Sequence, residues 1–179
     1  MLYAFGFERI GVLVSDLYFV DPNPPPGQEG PEHGVRLEVR MLGLGDLQGS
    51  IYSARTIEAG RPVWRADLLE SVDGKPGSFN RTHHHPGFGG WEPGSRVFEK
   101  DLSAAPVHWV GEQLSDLEAI LKRAGVQDAD GYAEDAEGMR GAAGEIMAVV
   151  QSLLDRVRAG ELAAPPPGDQ PEFARVSWL

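Results

Sequence analysis

Cysteine is absent from the 179-residue chain. Disulfides, a thiolate nucleophile and a cysteine-based zinc centre are therefore excluded. Lysine is scarce: the 16 basic residues comprise 13 Arg and 3 Lys. With abundant Ala, Gly and Pro, this fits a GC-rich bacterial origin, an expectation about source and not about function. No uninterrupted apolar run approaches the roughly 18 residues that suggest a membrane span. The apolar start, MLYAFGFERIGVLVSDLYF, has no basic leader and is broken by Glu8, Arg9 and Asp16, so it does not read as a signal peptide. The expected location is cytoplasmic, away from membranes. Gly-x-Ser-x-Gly, His-Glu-x-x-His and Asp-x-Asp-x-Asp-Gly patterns are also missing. Their absence removes the commonest hydrolase, metalloprotease and EF-hand readings.

What is present is an ordinary globular composition, 41% hydrophobic and 24% charged. Its length fits one domain with a substantial core. The formal net charge is −11, which opposes non-specific attraction to nucleic acid. That charge is uneven. Residues 1–54 carry 3 basic and 7 acidic side chains, residues 55–100 carry 7 and 6, and residues 101–179 carry 6 and 14. An anionic ligand is least repelled by the middle third.

The pattern predicts an α+β fold: an antiparallel meander of four to six strands over about 3–102, then two helices packed on one face. Phe5 to Val20 reads as one bent strand. Asp21 to Gly34 holds five Pro and three Gly and reads as a flap or surface arm. Val35 to Leu42 alternates apolar and charged residues, the mark of a half-buried antiparallel strand. Turns at Gly43–Asp46 and Ala59–Pro62 would then separate strands at Ser50–Glu58 and Val63–Val72. On the last of these, Trp64, Ala66 and Leu68 point one way and Arg65 and Asp67 the other. After a turn at Asp73–Gly77, Phe79–His85 reads as a fourth strand and Ser95–Leu102 as a short one. Helices are expected at about 115–124, capped by Ser115, and at about 134–159. Residues 1–162 form the expected domain. Residues 163–179 form a Pro-rich linker and a packing segment that includes Phe173 and Trp178.

Two sets of residues bear chemistry. Arg36, Glu38, Arg40, Arg55, Arg65 and Asp67 fall on one face of the predicted meander. They read either as a solvated face with exposed ion pairs or as an arginine cradle for phosphate or carboxylate. The second set is Arg81-Thr82-His83-His84-His85. Histidines at i and i+2 share a strand face, where they can act as acid and base or jointly hold a divalent metal. The alternative is a polar strand end satisfying local carbonyls. Trp64 and Trp91 flank the histidines and read as core anchors or as a stacking wall.

Two resemblances attach to these residues. Gly77, His83 and His85 resemble the start of a cupin metal motif. Glu92 then follows too late and Gly94 too soon, and no second motif occurs. Arg65-Ala66-Asp67, followed by His83-His84-His85 and a helix, is similar to an arrangement in bacterial toxin components of toxin–antitoxin pairs. That likeness implies metal-independent RNA cleavage. A histidine would remove the 2′-hydroxyl proton, and an arginine or the second histidine would support the leaving side.

Two functions are therefore expected. The first is a binding or interaction module with a polar sheet-face site, no required cofactor, and a protein partner or second copy. A small anionic ligand would bind through Arg36, Arg40, Arg55, Arg81, Trp64 and Trp91. The alternative is a ribonuclease or phosphodiesterase-like enzyme centred on His83, His85, Arg65 and Asp67. Both depend on whether Arg65 and Asp67 face the same side as the two histidines, because a one-residue slip would part them.

Overall fold

A computed structural model describes residues 1–168 and 174–179, apart from the side chain of Asp130. It has the expected α+β architecture. An antiparallel sheet runs β1 (Leu2–Gly6), β2 (Ile10–Val20), β3 (Glu32–Leu47), β4 (Arg55–Ser71) and β5 (His83–His85), each paired with the next. β6 (Phe88–Gly89) and β7 (Glu92–Pro93) form a small separate hairpin. Then come the helices α1 (Lys100–Ala104), α2 (Pro106–Leu114), α3 (Leu117–Arg123) and α4 (Ala133–Arg158). Among the described residues, no helix is long and apolar enough to cross a membrane. β8 (Ala174–Ser177) returns to the sheet and pairs with Leu17–Val20 of β2, beyond the stretch that β1 occupies.

Several boundaries differ from expectation. The first strand is a hairpin: Phe7 N–H donates to Ile10 O, and Asp135 accepts from the Arg9 and Ile10 amides. A side chain 125 residues away thus holds a turn that has no local signature. The expected turns at Gly43–Asp46 and Ala59–Pro62 lie inside long strands, so two strands stand where three were expected. Pro62, which cannot donate to a ladder, sits at an irregularity in the register. The real turn is at 48–54. Where Ser95–Leu102 was expected to form a strand, only Val97 bridges to His84 before α1 begins. α2 was not foreseen; Pro106 starts it at a position where a missing N–H costs nothing. The cap of α3 is Asp116, not Ser115, and its carboxylate accepts from the Ala119 amide. Trp178 is exposed instead of packed, and Phe173 lies outside the described residues.

The strands bury their alternate side chains against the helices. Val12, Val14, Val35, Leu37, Val39, Trp64, Ala66 and Leu68 meet Leu114, Ile120, Ile146, Val150 and Leu153 in one core. Gly138 lies in the first half of α4. It lets Phe7 come close, since a Cβ there would lie 2.9 Å from the Phe7 ring. The other sheet face carries the polar set.

Candidate functional site

The register settles the geometry. Arg36 pairs with Asp67 and Glu38 with Arg65 across β3 and β4; Asp67 pairs with His83 and Arg65 with His85 across β4 and β5. Directly opposed residues share a face. Arg36, Glu38, Arg65, Asp67, His83 and His85 therefore form one patch. It is not a solvated face. Glu38 is fully buried, Asp67 is 1% exposed, and every other member is under a tenth exposed.

Burial of so much charge requires pairing. Arg36 grips Asp67 with two bonds, Nε to Oδ1 at 2.6 Å and Nη2 to Oδ2 at 3.1 Å. Glu38 accepts from both Arg65 and Arg40, with Nε–O distances of 2.7 and 2.6 Å. Burial alone would raise the Asp67 pKa. The Arg36 guanidinium outweighs it and holds the carboxyl well below its usual range. Arg36 stays protonated despite its own burial because Asp67 faces it.

The histidines are fixed from behind. Turn residues Arg81 and Thr82 stitch the segment to β4: Arg81 N–H donates to Leu69 O, and Thr82 Oγ1 donates to the same carbonyl while accepting from the Leu69 amide. His83 Nδ1 lies 2.8 Å from Arg81 O, and His85 Nδ1 lies 2.8 Å from Gly94 O. The β6–β7 hairpin delivers that second carbonyl, and the Gly94 amide closes it by donating to Gly87 O. A carbonyl only accepts, so both Nδ1 atoms carry hydrogen. Both Nε2 atoms then face Asp67 Oδ2, at 3.4 and 3.6 Å. The ligand atoms of Asp67, His83 and His85 all lie within 4.8 Å of one another, close enough to hold a metal ion.

Above the patch opens a cavity of about 310 Å³. Its floor is Arg36, Arg65, Asp67, His83 and His85. Phe19, Glu32, Leu69, Trp91, Arg96 and Arg175 are among its walls. Burial holds the Glu32 carboxyl above its usual range, opposed by the charges of Arg96 and Arg81. Gly34 lies between Glu32 and Arg36 on β3, where the backbone of β4 comes close. A Cβ there would lie 2.1 Å from Leu68 O, and its φ of +155° suits glycine.

Some expected ligand-binding residues lie elsewhere. Trp64 is on the opposite face, fully buried beside Trp109 and His84. Arg55 pairs with Leu47 at the tip of the β3–β4 hairpin. Arg40 is beside the patch, bound to Glu38, but does not line the cavity. Arg81 holds the Pro-rich loop by donating to Gly27 O and Glu29 O at 2.6 and 3.0 Å. Trp91 does line the cavity and is 62% exposed. His84 faces the core, with Nε2 2.9 Å from Glu99, and burial lowers its pKa against the pull of that carboxylate.

Glu32, Arg96 and Arg175 were missed. Glu32 extends the alternation of Arg36 and Glu38 backwards, a signal masked by the Pro-rich context. Arg96 is held over the site by Asp21 and Gln28 of the Pro-rich loop. Arg175 reaches it because β8 pairs with β2, placing it opposite Phe19.

No family model matches the chain, and neither a curated protein nor a solved structure matches it. Function must therefore be argued from this site alone.

Proposed function

We propose that the protein is a binding module whose sheet-face cavity takes a small anionic ligand, with phosphate or carboxylate as the recognised group. The observation that carries this reading is the cavity lining. Four guanidinium groups, from Arg36, Arg65, Arg96 and Arg175, meet three carboxylates, from Glu32, Asp67 and Glu92. One of those carboxylates, Glu32, is pushed toward its neutral form by burial. Guanidinium forks suit oxyanions, and the surrounding burial strengthens each such contact. Exposed Leu44, Tyr52 and Ile57 on the β3–β4 hairpin support a protein partner or a second copy as an additional ligand.

The test is calorimetric titration of the full chain with inorganic phosphate and with a nucleoside monophosphate. Saturable binding is expected. Arg96→Gln and Arg175→Gln should each weaken it about tenfold, or about 1.4 kcal/mol. No saturation at millimolar phosphate or nucleotide would sink the reading.

The fixed tautomers of His83 and His85 favour a second reading, metal-independent cleavage of a phosphodiester. One Nε2 would act as base and the other, protonated, as acid. The likeness to toxin components points the same way, while the net charge of −11 opposes an RNA substrate. Loss of RNA cleavage in His83→Gln at unchanged melting temperature would support the enzyme.

A further inference from the structure

The two histidines and Asp67 present a problem in charge placement. Both Nδ1 hydrogens are committed to carbonyls, so in the neutral rings each Nε2 carries a lone pair. Both lone pairs are aimed at one carboxylate oxygen, Asp67 Oδ2. Three electron-rich atoms converge in a buried corner. A positive charge between them, either a proton on Nε2 or a metal ion, makes that arrangement favourable, and the three ligand atoms lie within 4.8 Å of one another.

We propose that Asp67 Oδ2, His83 Nε2 and His85 Nε2 form a binding site for a divalent transition metal, with zinc the ion that suits the spacing best. Zinc bonds of about 2.0–2.2 Å at tetrahedral angles separate two ligand atoms by roughly 3.4 Å. Oδ2 lies 3.4 and 3.6 Å from the two nitrogens. The outer partners are those that metal-bound histidines use: each Nδ1–H is tied to a backbone carbonyl, which fixes the ring and raises the basicity of the other nitrogen. Arg36 orients the carboxylate. Its shorter bond is to Oδ1, at 2.6 Å, which leaves Oδ2 the more available oxygen.

Three protein ligands leave a fourth position open, the pattern of a site that takes up a ligand and not of a structural one. All three ligands line the cavity, together with Arg65 and Arg96. The inference deepens the anion-binding reading and rests on it for what fills the fourth position: an oxygen of the anion, with the arginines holding the rest. It excludes metal-independent acid–base chemistry, because a metal on both Nε2 atoms occupies the lone pairs such chemistry needs.

The experiment is metal titration of untagged full-length protein after chelator treatment, using zinc and cobalt(II). Cobalt also reports geometry through its visible absorption. One equivalent per chain and a tetrahedral cobalt spectrum are expected. His83→Gln and His85→Gln should weaken binding by on the order of 100-fold or more, given that losing even an outer partner costs 10–100-fold. His108→Gln, altering an exposed histidine on α2, should change nothing. Binding should weaken as pH falls and protons compete for Nε2. If the variants fail to fold, the wild-type cobalt spectrum decides alone. A folded chain that takes up no stoichiometric ion overturns the proposal. Phosphate titration with and without metal separates the two readings. Phosphate binding without metal binding leaves the anion site standing and ends the metal site. Metal binding with no phosphate binding at any loading keeps the metal site and ends the anion site.

Discussion

The β3–β4 ladder has two halves built alike and used differently. In the inner half, Glu32–Val39 pairs with Trp64–Ser71 in unbroken register, with β2 on one side and β5 on the other for part of its length. In the outer half, Leu42–Leu47 pairs with Arg55–Ala59 across irregularities, beyond the pairs that β2 and β5 make. Inside, charged residues are buried and locked in ion pairs. Outside, apolar residues are exposed, Leu44 at 72% and its partner Ile57 at 71%. Hydrogen-bonded pairing is common to both. What makes the inner half a site is cover: helices on one face, and the Pro-rich loop and small hairpin over the other. Isolated two-stranded ribbons are marginal in water, so the outer half depends on the inner one.

The largest effect should come from cutting the inner ion pair. Asp67→Ala strands Arg36 in a buried position and should cost about 3–5 kcal/mol, read by urea unfolding. The pair also sets a pH dependence. The folded Asp67 pKa is lowered, so below the usual carboxylate range the unfolded chain binds more protons than the folded one. The contribution of Asp67 is complete above the unfolded pKa of about 4. It is lost as pH falls through the folded value. In Asp67→Asn that part of the acid limb should vanish. Arg55→Ala at the outer tip should shift stability by no more than about 0.5 kcal/mol. Equal losses in Asp67→Ala and Arg55→Ala would erase the distinction between the halves.

A smaller effect should separate two glycines on the same strand. Gly34→Ala forces a Cβ to within 2.1 Å of Leu68 O at a φ of +155° and should cost about 1–3 kcal/mol. It should also disturb the cavity, seen as weaker phosphate binding. Gly43→Ala in the outer half meets only the Glu58 side chain, with Cβ 3.8 Å away, and should be near neutral. Equal melting temperatures for the two variants would mean that Gly34 is not held by the packing around it.

This contrast also shows what could be read from residues alone. Alternation placed Arg36, Glu38, Arg65 and Asp67 on one face correctly, because a period of two is a local property. It equally placed Trp64 on the other face, so grouping Trp64 with the ligand-binding residues ran against its own pattern. Burial was not legible. The same alternation fits a solvated face, and only the Pro-rich loop, the β6–β7 hairpin and β8 close this one. Gly43, Gly45 and Pro62 mimicked turns because glycine and proline also mark irregular ladders. Arg175 carried no signal at all, since its place follows from pairing with residues more than 150 positions away.

The smallest effect is predicted where the most apolar surface is exposed. Leu44→Ser and Ile57→Ser change two side chains that face each other across the outer ladder. Each already stands mostly in water, so little burial is lost, and unfolding free energies should stay within about 0.5 kcal/mol of the wild type. Phosphate affinity should not move either, because the cavity is closed by the inner half and its covers. If the double variant instead melts early as a dilute monomer, the outer ribbon supports the site from a distance and the two halves are one cooperative unit. If stability holds but a concentration-dependent oligomer disappears on gel filtration, the exposed pair is an interface with a second copy, and the division of labour between the halves is sharper still.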